Sequence, residues 1–207
     1  LYEYMQQNTR YISIQLGIGG WQPFDAAYVA TKGYGDCKAL SNYMYSLLKE
    51  ANIPSKYALI KAGPRDYYLA EDFPSNQFNH AVLCVPLKND TIWLECTSQI
   101  DPAGYMGDFT GNRKALLIDE DGGTLVSTPR YKLNDNRQVR SITGKIDANG
   151  NLHSKITTTY VDIQQDYVFK VINSLPKDKS KEKLQKDLDL ATYHVKDFTY
   201  TENKIEH

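Results

Sequence analysis

The clearest periodic pattern along the chain lies between Asp36 and about Ala51. Apolar residues recur there at helical spacing, and Cys37 begins the same stripe, whose other members are Leu40, Met44, Leu47, Leu48 and Ala51. Asp36 is a favourable N-cap residue, Asn52 suits the left-handed position after a helix, and Pro54 prevents continuation. The pattern therefore predicts an amphipathic helix over residues 36–51, with Cys37 in its first turn.

Shorter alternating and apolar runs predict the remaining elements of the first 132 residues. Two runs, residues 80–85 and 91–96, are separated by Lys88-Asn89-Asp90 and predict a β-hairpin. The other expected elements are a helix over residues 1–10, a strand over 11–16, a helix over 26–30, and strands over 55–61 and 115–118. Residues 62–79 and 98–112 show no periodicity, and loops this long in a compact domain are usually functional or disordered.

The composition changes after Thr128, which predicts a second unit. Two strand-like runs, residues 139–147 and 152–160, flank Asn149-Gly150, a strong hairpin signal. Helical patterns follow over residues 163–175 and 179–191, and residues 198–201 begin a strand with no visible partner. We therefore expect an α+β fold with a core over residues 1–132 and a small α+β unit over residues 133–207. The second unit is expected to be truncated, or completed by pairing with an upstream strand.

Composition and charge exclude several classes of protein. Hydrophobic residues make up 41% of the chain and charged residues 24%, which excludes a disordered chain. Lys and Arg total 24 against 25 Asp and Glu, so no basic face for nucleic acid is expected. No apolar run approaches the roughly 20 residues of a membrane span. The 16 tyrosines fit either a recognition surface or half-buried strand faces. Since the chain starts at Leu1 and shows no signal-peptide pattern, we expect a mature or partial sequence.

Cys37 is the first candidate for chemistry. A helix N-terminus favours the thiolate, which makes Cys37 a candidate nucleophile. The alternative interpretation is that Cys37 is a small core residue that begins the apolar stripe. A cysteine nucleophile needs a histidine to move its proton and a third group to orient the ring. Among four histidines, only His80 opens a strand after a long loop of the first unit, and the predicted hairpin puts Glu95 across from it. The sequence therefore predicts a Cys-His-acid arrangement, whose cleft is flanked by residues 63–79 and 98–112.

The two other cysteines are predicted to be structural. Strand alternation puts Cys84 on the face of His80 and Cys96 on the opposite face, which disfavours a disulfide between them. The chain contains no CxxC or HExxH motif and no carboxylate cluster at ligand spacing, so neither a metal nor a cofactor is expected.

The sequence contains Tyr-Gly-Asp-Cys-Lys at 34–38, Phe-Asn-His-Ala at 78–81 and Trp-Leu-Glu-Cys-Thr at 93–97. These three motifs resemble those of the bacterial transglutaminase-like superfamily, which has the papain-like cysteine protease fold. Residues 10–14 and 20–23 strengthen the resemblance. The particular resemblance is to multi-domain exported proteins, common in Bacteroides-type bacteria, with a β-rich domain before the core. The resemblance therefore implies a periplasmic or cell-surface location and flanking domains in the full-length protein.

The resemblance implies a papain-like core in which a cysteine helix packs on an antiparallel sheet. Cys37 would match the nucleophile, His80 the general base and Glu95 the orienting acid. The acid of the family is usually aspartate, so the Glu95 side chain is one methylene longer. Many relatives also carry an acidic residue at the position of Ala39.

Further site residues are predicted around this triad. The backbone N–H of Cys37 at the helix start is one donor for an oxyanion hole, and either Gln22 or Trp21 could supply the second. Gln22 and Trp21 also suit plain packing roles. The motif residues beside the cysteine and the histidine are predicted to contact substrate: Tyr34, Phe78 and Asn79.

The leading hypothesis is an enzyme that transfers an acyl group from a peptide or glutamine amide through the Cys37 thiol. Water as the acceptor gives a peptidase or deamidase and an amine gives a transglutaminase, and the sequence does not choose between them. The alternative is a catalytically silent papain-like module that binds peptide or glycan within a larger exported protein. A third hypothesis is a structural domain of an exported assembly. The expected partners are a peptide or protein substrate and no nucleic acid.

Overall fold

Helices and strands are mixed along the whole chain, as expected for an α+β protein. The structure is a computed structural model that describes residues 1–14, 20, 22–63, 69–188, 190 and 192–203. The chain divides into two units, Leu1–Arg130 and Tyr131–His207, against an expected boundary after residue 132. Within the described residues, no helix has the length and apolar character needed to cross a bilayer.

A five-stranded antiparallel sheet forms the centre of the first unit. Its strands are β3 (Lys56–Ile60), β4 (His80–Pro86), β5 (Thr91–Leu94), β6 (Lys114–Asp119) and β7 (Gly122–Ser127), in the order β5-β4-β3-β6-β7. The helices of this unit are α1 (Tyr2–Asn8), α2 (Ala26–Lys32), α3 (Cys37–Glu50) and α4 (Gly107–Thr110). A short parallel pair, β1 (Arg10–Tyr11) with β2 (Tyr34–Gly35), precedes α3.

Helix α3 forms and packs as its pattern predicts. The Asp36 carboxylate accepts a hydrogen bond from the Ala39 backbone N–H at 2.9 Å and caps the first turn. At the other end, Asn52 takes the left-handed conformation with φ of 57°. The apolar stripe of α3 is buried against residues of β4 and β5, in a cluster that includes Leu40, Met44, Leu48, Leu83 and Leu94.

Two hydrogen bonds fix the first turn of α3 against the sheet. The Ser41 hydroxyl donates to the Ala81 carbonyl at 3.2 Å, and the Tyr57 hydroxyl donates to the Lys38 carbonyl at 2.6 Å. Ser41 is fully buried, so its hydroxyl needs this partner. The N-terminus of α3 is therefore attached directly to the start of β4.

Loss of the N-cap should destabilise the first unit. We expect Asp36→Ala to lower the free energy of unfolding by about 1 kcal/mol, because the Ala39 N–H loses its acceptor. Asp36→Asn keeps a side-chain oxygen and should cost less, although it loses the ion pair with Lys38. Urea denaturation measures the free energy of unfolding of the parent and both variants, provided that its dependence on urea concentration is the same in all three. If both variants lose the same free energy of unfolding, the effect comes from the negative charge of Asp36 and not from its hydrogen bond to the Ala39 N–H.

The glycine at position 35 is required by a close approach. A β-carbon built there would lie 2.7 Å from the Cβ of Ala39 and 3.5 Å from a methyl of Val29. Any side chain would push β2 away from α2 and α3. Gly35 therefore allows the chain to turn directly into the cysteine helix.

The β4–β5 hairpin has the expected register. Cys84 pairs with Trp93, and the Leu87 N–H donates to the Asp90 carbonyl at 2.8 Å in the turn. Cys84 is buried in one cluster with Trp93, whereas Cys96 is buried in the cluster on the α3 face. Both thiols are free, which agrees with the alternation argument.

Three features of the first unit differ from the predictions. The strand expected over residues 11–16 is limited to Arg10–Tyr11 in the described residues, and residues 15 and 16 lie outside them. Helix α4 interrupts the loop over 98–112. Strand β7 was missed because it begins Gly122-Gly123, which is typical of a turn. A β-carbon at Gly123 would lie 2.8 Å from a Leu116 methyl, so this glycine allows close strand contact.

The second unit contains a hairpin and two helices. Its elements are β8 (Gln138–Ile146), β9 (Leu152–Tyr160), α5 (Asp166–Ser174) and α6 (Lys177–Lys186), with a 3-10 turn at Asp162–Gln165. The expected strand over residues 198–201 is wrong, because residues 192–203 contain neither helix nor strand. The rings of Phe198 and Tyr200 instead pack on each other with centroids 5.9 Å apart.

Candidate active site

The β4–β5 hairpin brings a histidine and a carboxylate into direct contact. His80 begins β4, and Glu95 directly follows β5. Nε2 of His80 lies 2.9 Å from Oε1 of Glu95 and 3.0 Å from Oε2. His80 is 8% exposed and Glu95 is 4% exposed, so the pair is shielded from water. Because Nε2 contacts the carboxylate, Nδ1 is the ring nitrogen that remains for a second partner.

The second neighbour of His80 is the Cys37 thiol, and the interaction of the two groups lowers the pKa of Cys37 and raises that of His80. Cys37 occupies the first turn of α3, where the backbone of Ala81 also contributes to lowering the pKa of the thiol. The attachment of this turn to β4 through Ser41 explains how the thiol reaches the start of the strand. The structure therefore brings together all three residues of the predicted triad.

The protonation states of the three groups are coupled. Burial alone would raise the pKa of Cys37, but the hydrogen bond and charge of His80, the Ala81 backbone and Lys38 lower it overall. Burial would lower the pKa of His80, yet its bonds to Cys37 and Glu95 raise that pKa to about 9. The charge and hydrogen bond of His80 outweigh burial and lower the pKa of Glu95. The three shifts therefore favour the ionised forms, a thiolate, an imidazolium and a carboxylate, more than isolated side chains would.

Two threonines complete the surroundings of the carboxylate. The Thr97 hydroxyl donates to Oε1 of Glu95 at 2.5 Å, and the Thr97 backbone N–H donates to the same oxygen at 3.2 Å. The Thr110 hydroxyl lies 3.3 Å from Oε2. Sequence reasoning assigned neither threonine a role. A hydroxyl two positions after an acid at a strand end is a signal that could have identified Thr97, whereas nothing local identifies Thr110.

Phe109 is a further residue that sequence reasoning missed. Its ring packs edge-on against the His80 imidazole with centroids 5.3 Å apart, and the residue is 51% exposed. Its carbonyl accepts a hydrogen bond from the Gly63 N–H at 3.0 Å. Gly63 in the first long loop is therefore bonded to Phe109 in the second, whose ring packs on His80 and is half exposed to solvent.

The predicted accessory residues lie in varied surroundings. Tyr34 is half-buried, and its hydroxyl bonds that of Tyr28 at 2.8 Å. Phe78 is half-buried. The Asn79 side chain accepts a hydrogen bond from the Ala62 N–H at 2.7 Å and donates one to the Ala62 carbonyl at 3.1 Å. Roles for these residues in substrate contact stay predictions.

The two predicted side chains for the oxyanion hole have different outcomes. Gln22 is exposed, and its role stays a prediction. Trp21 lies outside the described residues.

The other thiols have a different electrostatic environment. Burial raises the pKa of Cys84, and it raises that of Cys96 further. Within the part of the chain that the structure describes, no three His, Cys, Asp or Glu side chains are grouped as metal ligands would be. Cys37 is therefore the one thiol whose surroundings favour the ionised form.

Comparisons with protein-family models, with curated proteins and with solved structures gave no match. Similarity therefore establishes no family for this chain, and the resemblance in its three motifs stays a prediction. Function has to be inferred from the contacts of Cys37, His80 and Glu95.

Proposed function

We propose that this chain catalyses thiol-dependent acyl transfer on peptide or glutamine amides. Cys37 is the nucleophile, His80 the acid–base residue and Glu95 the orienting acid. The observation that carries this proposal is the position of His80, whose Nε2 lies 2.9 and 3.0 Å from the Glu95 carboxylate and whose imidazole lowers the pKa of the Cys37 thiol. A buried cysteine that belongs only to the core would need neither a buried base nor a buried carboxylate behind it.

The proposed reaction proceeds in two half-reactions. The Cys37 thiolate attacks the amide carbonyl, a C–S bond forms and the electron pair moves to oxygen, next to the backbone N–H of Cys37. The C–N bond then breaks while the His80 imidazolium gives its proton to the departing nitrogen. In the second half-reaction, neutral His80 takes a proton from water or an amine, which attacks the thioester and releases the thiolate.

The fold of the first unit supports this assignment as a papain-like core. A cysteine helix lies on one face of an antiparallel sheet, and the histidine and acid come from a neighbouring hairpin. The three motifs that resemble the transglutaminase-like superfamily supply these same residues. Fold and motifs agree on which residue takes each role.

Dimethylated casein tests the proposal and identifies the acceptor. We expect at least one of three products: ammonia from glutamine, new N-termini from cleavage, or casein labelled with monodansylcadaverine. Cys37→Ser should abolish that product, and Cys84→Ser should leave it unchanged because the Cys84 pKa is raised. Product formation that survives in Cys37→Ser would contradict the proposed nucleophile.

Selective alkylation gives a prediction that needs no substrate. We expect iodoacetamide at about pH 6 to modify Cys37 faster than Cys84 or Cys96, because only the Cys37 pKa is lowered. Peptide mass spectrometry after short exposures measures the three rates. Denatured protein is the control, in which the three thiols should react alike. Equal or faster labelling of Cys84 or Cys96 in the native protein argues against an activated Cys37.

Burial of the sulfur favours one alternative function. Cys37 is only 6% exposed, as expected for a catalytically silent module that binds peptide or glycan beside Phe109. In that case the alkylation rate of Cys37 would show the pH dependence of an ordinary thiol, with a midpoint of about 8.5 or above. The two hypotheses therefore predict different pH profiles for the same residue.

A further inference from the structure

We propose that Thr97 is a positioning residue that holds the Glu95 carboxylate against His80, with Thr110 as a weaker second support. The inference rests on the proposed triad and adds residues that act through Glu95. It follows from the hydrogen bonds that the two threonine hydroxyls make with the carboxylate oxygens.

Each carboxylate oxygen has one partner in His80 and one in a threonine. Oε1 accepts from the Thr97 hydroxyl at 2.5 Å, from the Thr97 N–H at 3.2 Å and from Nε2 of His80 at 2.9 Å. Oε2 lies 3.0 Å from Nε2 and 3.3 Å from the Thr110 hydroxyl. Donors on two sides of a 4% exposed carboxylate leave it little freedom to rotate.

The length of the glutamate side chain explains why such support is needed. Glutamate has one more rotatable bond than aspartate, so a carboxylate on this longer side chain has more conformations to lose. A buried carboxylate also requires donors for its charge. Without the threonine hydroxyls, the Glu95 carboxylate could turn and meet Nε2 with one oxygen in place of two.

The two threonines are not equivalent. The Thr97 hydroxyl donates to Glu95 at the shorter distance, and the backbone N–H of the same residue reinforces it. The Thr110 hydroxyl also lies 3.1 Å from the Met106 carbonyl, which competes for its single proton. Thr97 should therefore have the larger influence on His80.

The test compares Thr97→Val and Thr97→Ala, which remove the hydroxyl, with Thr97→Ser, which keeps it. We expect the His80 pKa to fall by about one pH unit in the first two variants, since a carboxylate that is no longer held by the hydroxyl turns and stabilises the imidazolium with one oxygen in place of two. The alkylation midpoint of Cys37 should rise in parallel, and Thr97→Ser should resemble the parent. Nuclear magnetic resonance of the imidazole and pH-dependent alkylation measure the two groups.

Two further variants define the controls. Thr110→Val should shift both midpoints in the same direction but by less, and Thr157→Val on exposed β9 should shift neither. Circular dichroism and urea denaturation identify any variant that fails to fold, and Thr97→Ala then replaces Thr97→Val because it introduces no methyl beside Oε1.

The outcomes separate this inference from the proposed function. An unchanged or raised His80 pKa in folded Thr97→Ala overturns the positioning role while the triad stands. An ordinary thiol profile for Cys37 in the parent overturns the proposed function itself. Equal shifts in Thr97→Ser and Thr97→Ala would assign the effect to packing and also overturn the role of the hydroxyl.

Discussion

In His80→Ala, acyl transfer should fall by about 10²–10⁴-fold, because the amide nitrogen loses its proton donor and the acceptor loses its base. The pH midpoint for Cys37 alkylation should also rise. The pKa of the parent thiol is lowered because His80, with smaller contributions from the Ala81 backbone and Lys38, outweighs burial. Without the imidazole, burial acts with little opposition and the midpoint should reach or exceed about 8.5. Iodoacetamide rates at about pH 5 to 10 measure this shift.

The second unit offers a matched control for this substitution. Nε2 of His153 lies 3.0 Å from an Asp147 carboxylate oxygen on the exposed β8–β9 hairpin. His153→Ala removes a histidine from a similar ion pair and should leave the alkylation profile of Cys37 unchanged. Superimposable profiles for the parent and His80→Ala would show that Cys37 is not activated by His80.

The second large effect is expected for Glu95→Gln, which should lower the free energy of unfolding by an amount that depends on pH. Removing one partner of a buried ion pair costs about 3–5 kcal/mol, and glutamine recovers part of this by hydrogen bonding. The His80 pKa is raised to about 9, so its stabilising contribution is complete below the unfolded value of about 6.5. It is lost as the pH rises through about 9. The Glu95 pKa is lowered, so its contribution is present above the unfolded value of about 4.3 and is lost at lower pH.

These signs define the measurement. The parent should be most stable relative to Glu95→Gln at about pH 5 to 6.5, and the difference should shrink toward about pH 9. Urea denaturation at several pH values gives the two curves. Asp119→Asn is the control, since it removes an exposed carboxylate from a surface ion pair with Lys56 and should change stability little. If the stability difference between the parent and Glu95→Gln is constant with pH, Glu95 does not raise the pKa of His80.

The elements that the sequence predicted well have residues at their ends that are typical of helix caps or turns. Helix α3 has an acceptor at Asp36 and a left-handed residue at Asn52, and the β4–β5 hairpin has a polar turn between apolar runs. Local chemistry and periodicity agree there, so the contact of His80 with Glu95 follows from strand register. The triad residues could be proposed for this reason before any contact was known.

What could not be predicted depends on contacts between distant residues. Phe109 and Thr110 lie in a short helix without periodic pattern, and their roles exist only because the loop returns to His80 and Glu95. Gly123 resembles a turn residue in sequence, yet it is a strand residue because Leu116 packs across it. Local propensity contains no information on such neighbours.

The hydrogen bond from Ser41 to Ala81 has a consequence for how this chain can change. Helix α3 and strand β4 hold Cys37 and His80 in contact, so their separation does not depend on the connection over residues 61–79. Insertions or exchanges in the described residues 69–78 should therefore leave the reacting atoms in place. Under the proposed function, that segment could be exchanged as a cassette in evolution or in engineering to vary substrate choice, while the contact of His80 with Glu95 is kept.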